Sequence, residues 1–206
     1  MLRRFPAFAV TMLLAACAGH ARVAAPDGAL PPVPMLTRAQ WGAKPPTGPM
    51  RPHTPTRITI HNTGERSRPD LPLDQKLRAL QTFSQRDERM SDGGMHHAWP
   101  DVPYHYYIDI KGRLAEARDW HFAGDTNTTY DPAGHLLIVL EGNFNQERPT
   151  PEQLATLRTM VSWASNRWRI PADSLAGHRD FARTDCPGKN LYPQLDSLRA
   201  MLRAGH

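Results

Sequence analysis

The chain has 206 residues, of which 40% are hydrophobic and 22% charged, and its formal net charge is +5 at pH 7. This length suits one domain with an ordinary buried core. The positive charge is mild, and no cluster of basic residues is interleaved with aromatic residues, so no nucleic-acid partner is expected. The chain contains two cysteines, Cys17 and Cys186.

Residues 1–16 have the pattern of an export signal. Two arginines precede an apolar run from Phe5 to Ala16, which is too short to span a bilayer. The sequence Leu-Ala-Ala-Cys at 14–17 resembles a bacterial lipobox, which implies cleavage before Cys17 and lipid attachment to its thiol. An ordinary signal peptide with an incidental cysteine is the alternative. Ala18 stands where an inner-membrane retention signal would usually carry aspartate, which by the same resemblance implies an outer-membrane lipoprotein facing the periplasm.

Residues 17–36 are rich in alanine, proline and glycine and show no hydrophobic periodicity. This composition predicts a tether between the membrane and a folded domain over residues 37–206. If Cys17 carries lipid, Cys186 has no disulfide partner. A lone thiol in an oxidising compartment is a liability unless something such as a metal ion occupies it.

Strand and helix patterns intermix in the folded part, which predicts an α/β domain with a mixed sheet and helices on both faces. Apolar patterns predict strands at residues 57–61, 104–110, 113–117 and 135–141. Helical spacing predicts helices at 73–90, from Thr150 onward, and from Leu191 to Leu202. The start of the second helix carries a capping-box signature made by Thr150, Pro151 and Gln153.

Three side chains of types that bind zinc lie at the end of a predicted strand and in a polar loop. His61 ends the first predicted strand, and His178 and Cys186 lie eight residues apart in a polar loop bounded by glycine and proline. Catalytic zinc takes three protein ligands and keeps one position open for water, and two imidazoles with one thiolate suit its preferences. Spacing alone leaves the assignment open, because a lone histidine is more often solvated or packed in a core.

Several segments, in chain order, resemble the type-2 N-acetylmuramoyl-L-alanine amidase family, which includes the peptidoglycan recognition proteins and the phage-type amidases. The resemblance is carried by residues 41–43 (Trp-Gly-Ala), 58–63 (Ile-Thr-Ile-His-Asn-Thr), 99–108, 112–114, 119–124, 140–144 (Leu-Glu-Gly-Asn-Phe), 150–154, 177–180 (Gly-His-Arg-Asp) and 184–188 (Thr-Asp-Cys-Pro-Gly). Together these segments cover roughly residues 37–200 and imply a single amidase domain.

The resemblance implies one zinc ion held by His61, His178 and Cys186. It also implies a peptidoglycan substrate and hydrolysis of the amide between the lactyl group of N-acetylmuramic acid and L-alanine of the stem peptide. Tyr104 stands at the position of the family's catalytic tyrosine, where its phenol would orient water or donate to the oxyanion. Packing on a strand face, as for Tyr106, is the alternative reading of Tyr104.

Two positions depart from patterns seen in parts of the family. Val139 stands where some branches carry a glutamate general base, and those branches also have aspartate in place of Cys186. Both differences assign the chain to the branch that uses cysteine and tyrosine. Thr184 stands where the phage-type enzymes carry lysine, and its hydroxyl is expected to donate to the oxyanion without adding a charge.

The remaining candidate contacts with glycan or peptide are Asn62, Trp99 and Asn143. His121 is expected either to line the substrate groove or to form a structural hydrogen bond. His96 and His97 are predicted to be exposed in a loop. Glu141 is expected to accept hydrogen bonds at a sheet end rather than to act as a catalytic acid.

The leading hypothesis is therefore a zinc amidase that acts on peptidoglycan. A peptidoglycan-binding module without catalysis is the second hypothesis, although family members of that kind usually lose the cysteine that is Cys186 here. A zinc peptidase that cuts within the stem peptide is a third. No motif indicates the oligomeric state, the preferred form of murein or the physiological role.

Overall fold

A computed structural model describes residues 31–89 and 93–205. The strands are β1 (Met35–Leu36), β2 (Arg57–Asn62), β3 (Glu88–Arg89), β4 (Met95–His96), β5 (Tyr106–Ile108), β6 (Leu114–Glu116), β7 (His135–Leu140) and β8 (Leu175–Gly177). The α-helices are α1 (Arg38–Trp41), α2 (Leu73–Ser84), α3 (Pro151–Trp168) and α4 (Gln194–Ala204). Short 3-10 turns cover Ala172–Ser174 and His178–Asp180.

Six strands form one mixed sheet in the spatial order β1-β6-β5-β7-β2-β8, and β3 pairs with β4 in a separate hairpin. In the large sheet, β5 and β6 are antiparallel, whereas β7 runs parallel to both β5 and β2, and β2 runs parallel to β8. Strand β7 is buried at every position, which confirms the central strand expected from its apolar run.

The two faces of the sheet bury separate apolar clusters, because successive strand residues point to opposite sides. Ile58 and Ile138 belong to the cluster that packs against α3 and α4. Val139 and Tyr107 belong to the other cluster, which includes Leu77 of α2 and the fully buried Trp41 of α1. The predicted arrangement, a mixed sheet with helices on both faces of a single domain, is confirmed.

Helix α3 begins where its sequence signature predicts. The Thr150 hydroxyl accepts a hydrogen bond from the Gln153 amide, and the Gln153 side chain accepts one from the Thr150 amide, each at 3.1 Å. Pro151 takes the first helical position, where a missing amide proton costs nothing. Gln153 also donates to the carbonyl of Glu141, which fixes this helix end beside the end of β7.

The predicted helix at 73–90 is wrong in its last third, because α2 ends at Ser84. There the Ser84 carbonyl accepts a hydrogen bond from the Trp99 amide, and the chain turns into the β3–β4 hairpin. This hairpin folds against the end of α2 and buries His96 completely, with its ring stacked on Phe83 at 4.5 Å. The exposure predicted for His96 is therefore wrong, whereas His97 is exposed as expected.

The strand predicted at 104–110 is shorter than expected. Strand β5 begins at Tyr106, and the chain bends before it, so Tyr104 packs with the α2 cluster while Tyr106 packs with the α3 cluster. The alternative reading, in which Tyr104 packs on a strand face as Tyr106 does, is therefore wrong. The bend is held by the Tyr104 carbonyl, which accepts a hydrogen bond from the Arg118 amide.

The sheet begins slightly before the predicted domain start, since Met35 and Leu36 of the predicted tether form β1 and pair with β6. The predicted signal segment and Cys17 lie outside the described residues. Among residues 31–89 and 93–205, no helix combines the length and the apolar character needed to cross a membrane.

Candidate metal centre

The two candidate histidine ligands are brought together by strand register. Ile60 of β2 pairs with Gly177 of β8 in parallel register, so His61 and His178 each stand one residue beyond this pair at the same sheet edge. Parallel neighbours in register point to the same side of a sheet. Their rings accordingly lie 4.7 Å apart between centroids, and both side chains are buried.

The loop from His178 to Gly188 folds back to place the thiol beside this pair. The Arg179 amide donates to the Cys186 carbonyl, and the Cys186 amide donates to the Thr184 hydroxyl. A side chain at Gly177 would collide with Pro187, because a β-carbon there would lie 2.9 Å from the proline ring. Glycine at the end of β8 therefore permits the close approach of the cysteine loop.

The three candidate donors converge on one point. Ligand atoms from His61, His178 and Cys186 all lie within 4.8 Å of one another, and the Cys186 Sγ is 3.7 Å from His61 Nδ1. Tetrahedral zinc with bonds of about 2.1 Å to nitrogen and 2.3 Å to sulfur places such a pair of donors about 3.6 Å apart. Spacing and chemistry both fit a zinc ion, and the three predicted ligands are brought together.

Burial sets the protonation of these groups. It lowers the pKa of His61 well below its usual value, with the nearby His178 adding to the effect, and it lowers the pKa of His178 to about 4. Both imidazoles are therefore neutral near pH 7, which is the form that binds metals. Burial also raises the pKa of Cys186 to about 12, against a smaller opposing effect of the Asn62 amide, which donates to Sγ at 3.4 Å. A coordinated divalent cation reverses this preference and favours the thiolate.

A cavity of about 320 Å³ opens over the donors. Five of the remaining residues predicted to function in the site line it, namely Asn62, Trp99, Tyr104, Asn143 and Thr184. The walls come from the chain beyond β2, the segment at 125–128, the turn after β7 and the cysteine loop. The structure thus places most of the predicted site around one opening.

Tyr104 lies next to the donors, with its ring 5.2 Å from the His61 ring between centroids. Burial, together with the proximity of Cys186, raises the pKa of the Tyr104 phenol above its ordinary value. The phenol therefore keeps its proton over the whole neutral range and is available as a hydrogen-bond donor towards the cavity.

Two predicted residues make hydrogen bonds that indicate structural roles. The Thr184 hydroxyl accepts a hydrogen bond from the Cys186 amide, so it helps to shape the loop that presents the thiol. His121 is not among the residues lining the cavity. Its exposed ring donates to Asp119 at 2.6 Å and stacks on Trp120 at 3.7 Å, which supports the structural alternative.

Sequence reasoning missed the polar segment at 125–130, which lies over the two histidines. Thr128 Oγ1 is 2.8 Å from His178 Nε2, and the Tyr130 hydroxyl is 3.5 Å from His61 Nε2. The only available signal was the run Asp-Thr-Asn-Thr-Thr-Tyr, which follows a family-like segment without sharing its pattern. Such a run reads equally well as a solvated loop.

Comparison with known proteins agrees with this geometry. Residues 51–189 match the family described as N-acetylmuramoyl-L-alanine amidase. The chain is 32% identical over 168 residues to peptidoglycan-recognition protein SD of Drosophila simulans, covering 78% of this chain and 83% of that protein. It is 30% identical over 165 residues to an N-acetylmuramoyl-L-alanine amidase of Sus scrofa, covering 77% of this chain and 26% of the pig protein.

A crystal structure of the Drosophila peptidoglycan recognition protein SD superposes with a TM-score of 0.66 at 30% identity, covering 80% of this chain and 94% of that one. This similarity and the matched segment agree on the fold. The chain belongs to the N-acetylmuramoyl-L-alanine amidase family, which contains both amidases and peptidoglycan recognition proteins.

Proposed function

We propose that this protein is a zinc-dependent N-acetylmuramoyl-L-alanine amidase. It hydrolyses the amide between the lactyl group of N-acetylmuramic acid and L-alanine of the peptidoglycan stem peptide. The observation that carries the proposal is the convergence of His61, His178 and Cys186 under a cavity, with the protonated Tyr104 phenol beside them.

The ligands His61, His178 and Cys186 would hold one zinc ion. When bound, zinc supplies Lewis-acid activation of the scissile carbonyl and of the attacking water. The protein supplies the remaining chemistry through its own donors. Tyr104 donates its proton in a hydrogen bond to the oxygen on which negative charge develops. Thr184 keeps the cysteine loop in place, and its hydroxyl proton is a second, uncharged donor towards the same cavity.

A non-catalytic peptidoglycan-binding module is the competing function, because one of the similar proteins is a peptidoglycan-recognition protein. Binding alone requires a polar groove but no set of metal donors. Cys186 and Tyr104 have no evident use in such a module, whereas an amidase requires both a third ligand and an oxyanion donor. The retained donors therefore favour catalysis.

Digestion of purified murein tests the proposal. The zinc-loaded protein should release free stem peptides that begin with L-alanine and leave the glycan strands intact, as measured by mass spectrometry. The same protein treated with a chelator is the control and should release none. Soluble glycan fragments, peptides cut internally, or tight murein binding without any release would contradict the proposal.

The Tyr104→Phe variant tests the assigned role of the phenol. Removal of one oxyanion donor lowers kcat by about 10²–10³-fold in well-studied enzymes, and we expect a loss of that size. Zinc content should remain at one ion per chain, because the phenol is not a ligand. A variant that retains the wild-type kcat would show that Tyr104 serves packing instead.

We further propose that the protein is an outer-membrane lipoprotein anchored through Cys17 and facing the periplasm, a reading supported by the lipobox-like sequence. In bacterial cells, the wild-type chain should incorporate labelled palmitate and sediment with outer membranes. The Cys17→Ala variant should do neither. Unlabelled wild-type protein in the soluble periplasmic fraction would indicate the ordinary signal peptide instead.

A further inference from the structure

One short segment of the chain contacts both candidate histidine ligands. Thr128 Oγ1 lies 2.8 Å from Nε2 of His178, and two residues later the Tyr130 hydroxyl lies 3.5 Å from Nε2 of His61. The other nitrogen of His61, Nδ1, is the one that faces Cys186. Each hydroxyl therefore contacts the Nε2 atom of its own histidine. In His61, Nε2 is the nitrogen that faces away from the thiol.

The neighbouring hydroxyl groups permit a direction of hydrogen bonding that orients His178. Thr126 Oγ1 accepts from the Thr128 amide at 3.1 Å and lies 2.8 Å from Thr128 Oγ1. A hydroxyl donates one hydrogen bond and accepts two. If Thr128 donates its proton to Thr126, its oxygen accepts the Nε2 proton of His178. That arrangement places the proton of His178 on Nε2 and leaves a lone pair on Nδ1.

Buried contacts hold both ends of the segment at 125–130 in place. Arg118 is buried and donates to the carboxylate of Asp125 as well as to the carbonyls of Val102 and Ala123. The ring of Tyr130 packs against His135 and Phe181, with centroids 5.1 Å and 5.7 Å away. A hydroxyl that orients a ligand must itself be fixed, and both ends of this segment meet that requirement.

We propose that Thr128 and Tyr130 are positioning residues, which keep His178 and His61 in the Nε2-protonated tautomer so that both rings present Nδ1 to the zinc ion. The inference rests on the proposed metal centre. Partners of this kind fix the ring orientation of metal-binding histidines, and their loss typically weakens metal affinity by about 10–100-fold.

Zinc affinity of Thr128 variants provides the first test. Competition with a chromophoric chelator should show Thr128→Val binding zinc about 10–100-fold more weakly than wild type, because valine keeps the shape and lacks the oxygen. Thr128→Ser should restore most of the affinity. Thr129→Val, at the exposed neighbouring position, is the matched control and should bind as wild type.

Equal zinc affinity of Thr128→Val and wild type would overturn the proposal, and so would a serine variant as weak as the valine variant. Tyr130→Phe should weaken zinc binding by less than about tenfold, because its contact is the longer one. An effect of Tyr130→Phe larger than that of Thr128→Val would contradict the ranking that the distances imply.

Long-range ¹H–¹⁵N spectra of the zinc-loaded protein read the tautomers directly. We expect His178 and His61 to be protonated at Nε2 and coordinated through Nδ1. Coordination of His178 through Nε2 would overturn the proposal even if murein hydrolysis is intact. Conversely, the predicted tautomers in a protein that does not hydrolyse murein would leave this inference standing while the proposed activity fails.

Discussion

Two neighbouring places at the same edge of the sheet bury polar groups in opposite ways. Strand β2 ends at the candidate metal centre. The adjacent strand β7 ends at Leu140, which pairs with Asn62, and Glu141 is the next residue. At Glu141 the buried groups are charged and neutralise each other. At the candidate metal centre the buried groups are neutral, and their donor atoms lie close together.

The charged groups around Glu141 pair with one another inside the protein. Lys76 of α2 donates to Glu141 at 2.7 Å and lies 3.7 Å from Asp109, and the side chains of all three residues are at most 4% exposed. Glu141 also accepts from the amides of Arg68 and Ile110, which confirms the predicted role as an acceptor at the sheet end. Each charge here has a partner within the protein.

The difference shows how a structural cluster can be told from a binding site. Buried charges that satisfy one another hold loops and strands in place. Neutral donor atoms that converge on a point, as in His61, His178 and Cys186, form an arrangement that a metal ion can occupy. Variants of the two places should therefore have opposite effects on stability and on zinc binding.

The largest expected effect is that of Cys186→Ala on zinc affinity. Loss of a residue that only hydrogen-bonds to a ligand weakens metal binding by up to roughly 100-fold. Loss of a direct ligand should weaken zinc binding by more than that, and murein hydrolysis should disappear with it. Stability of the metal-free protein in urea should change little, because the buried thiol is neutral and its removal leaves no buried charge without a partner. The ligand assignment is wrong if this variant binds one zinc ion as tightly as wild type.

Lys76→Met should have the opposite pattern. Removing the cation leaves Glu141 and Asp109 buried without it, which we expect to cost about 3–5 kcal/mol in the free energy of unfolding. Zinc affinity of the folded variant should match wild type. Lys111→Met, at an exposed position, is the control and should unfold like wild type in urea. If Lys76→Met were as stable as wild type, the charged cluster at Glu141 would not have the stabilising role that distinguishes it from the candidate metal centre.

His105 sharpens the comparison, because it is a buried histidine with both nitrogens satisfied by the backbone. Its Nδ1 accepts from the Leu137 amide at 2.8 Å, and its Nε2 donates to the Phe122 carbonyl at 2.9 Å. Burial lowers the pKa of His105 to about 3. The stabilising effect of the neutral ring is therefore complete above the unfolded-state pKa of about 6.5 and is lost as the pH falls below it.

We expect this single group to lower the free energy of unfolding by on the order of 2 kcal/mol between pH 8 and pH 5, as measured by urea unfolding of the metal-free protein. His105→Gln should unfold more easily at pH 8 but lose less stability on acidification. The exposed His97→Gln variant should follow wild type. An unchanged pH dependence in His105→Gln would show that other buried histidines account for the acid sensitivity.

The smallest effect should be that of His121→Ala, since the exposed ring lies outside the cavity. The kcat/KM for murein fragments should stay within about twofold of wild type, whereas Asn143→Ala, at the cavity wall, should reduce it more through lost binding. A His121 variant with the larger loss of the two would support the groove-lining interpretation.

Local patterns predicted the parts of this protein that depend on nearby residues. The capping box at Thr150 and the continuous apolar run of β7 follow from backbone hydrogen bonding and strand periodicity, and both were read correctly. The end of α2 was misplaced because the Trp99 amide, fifteen residues beyond Ser84, supplies the hydrogen bond that turns the chain. A contact at that separation leaves no periodic signature.

The sequence by itself predicted the candidate ligand set, because the segments around His61, His178 and Cys186 resemble those of the amidase family and few residue types bind zinc. Only the tertiary structure decided which polar residues serve them. Thr128 and Tyr130 meet the two histidines across fifty and sixty-nine positions of the chain, whereas His121, inside a family-like segment, lies away from the cavity. The chemistry of a side chain is local, but its surroundings are set by strand register and loop packing.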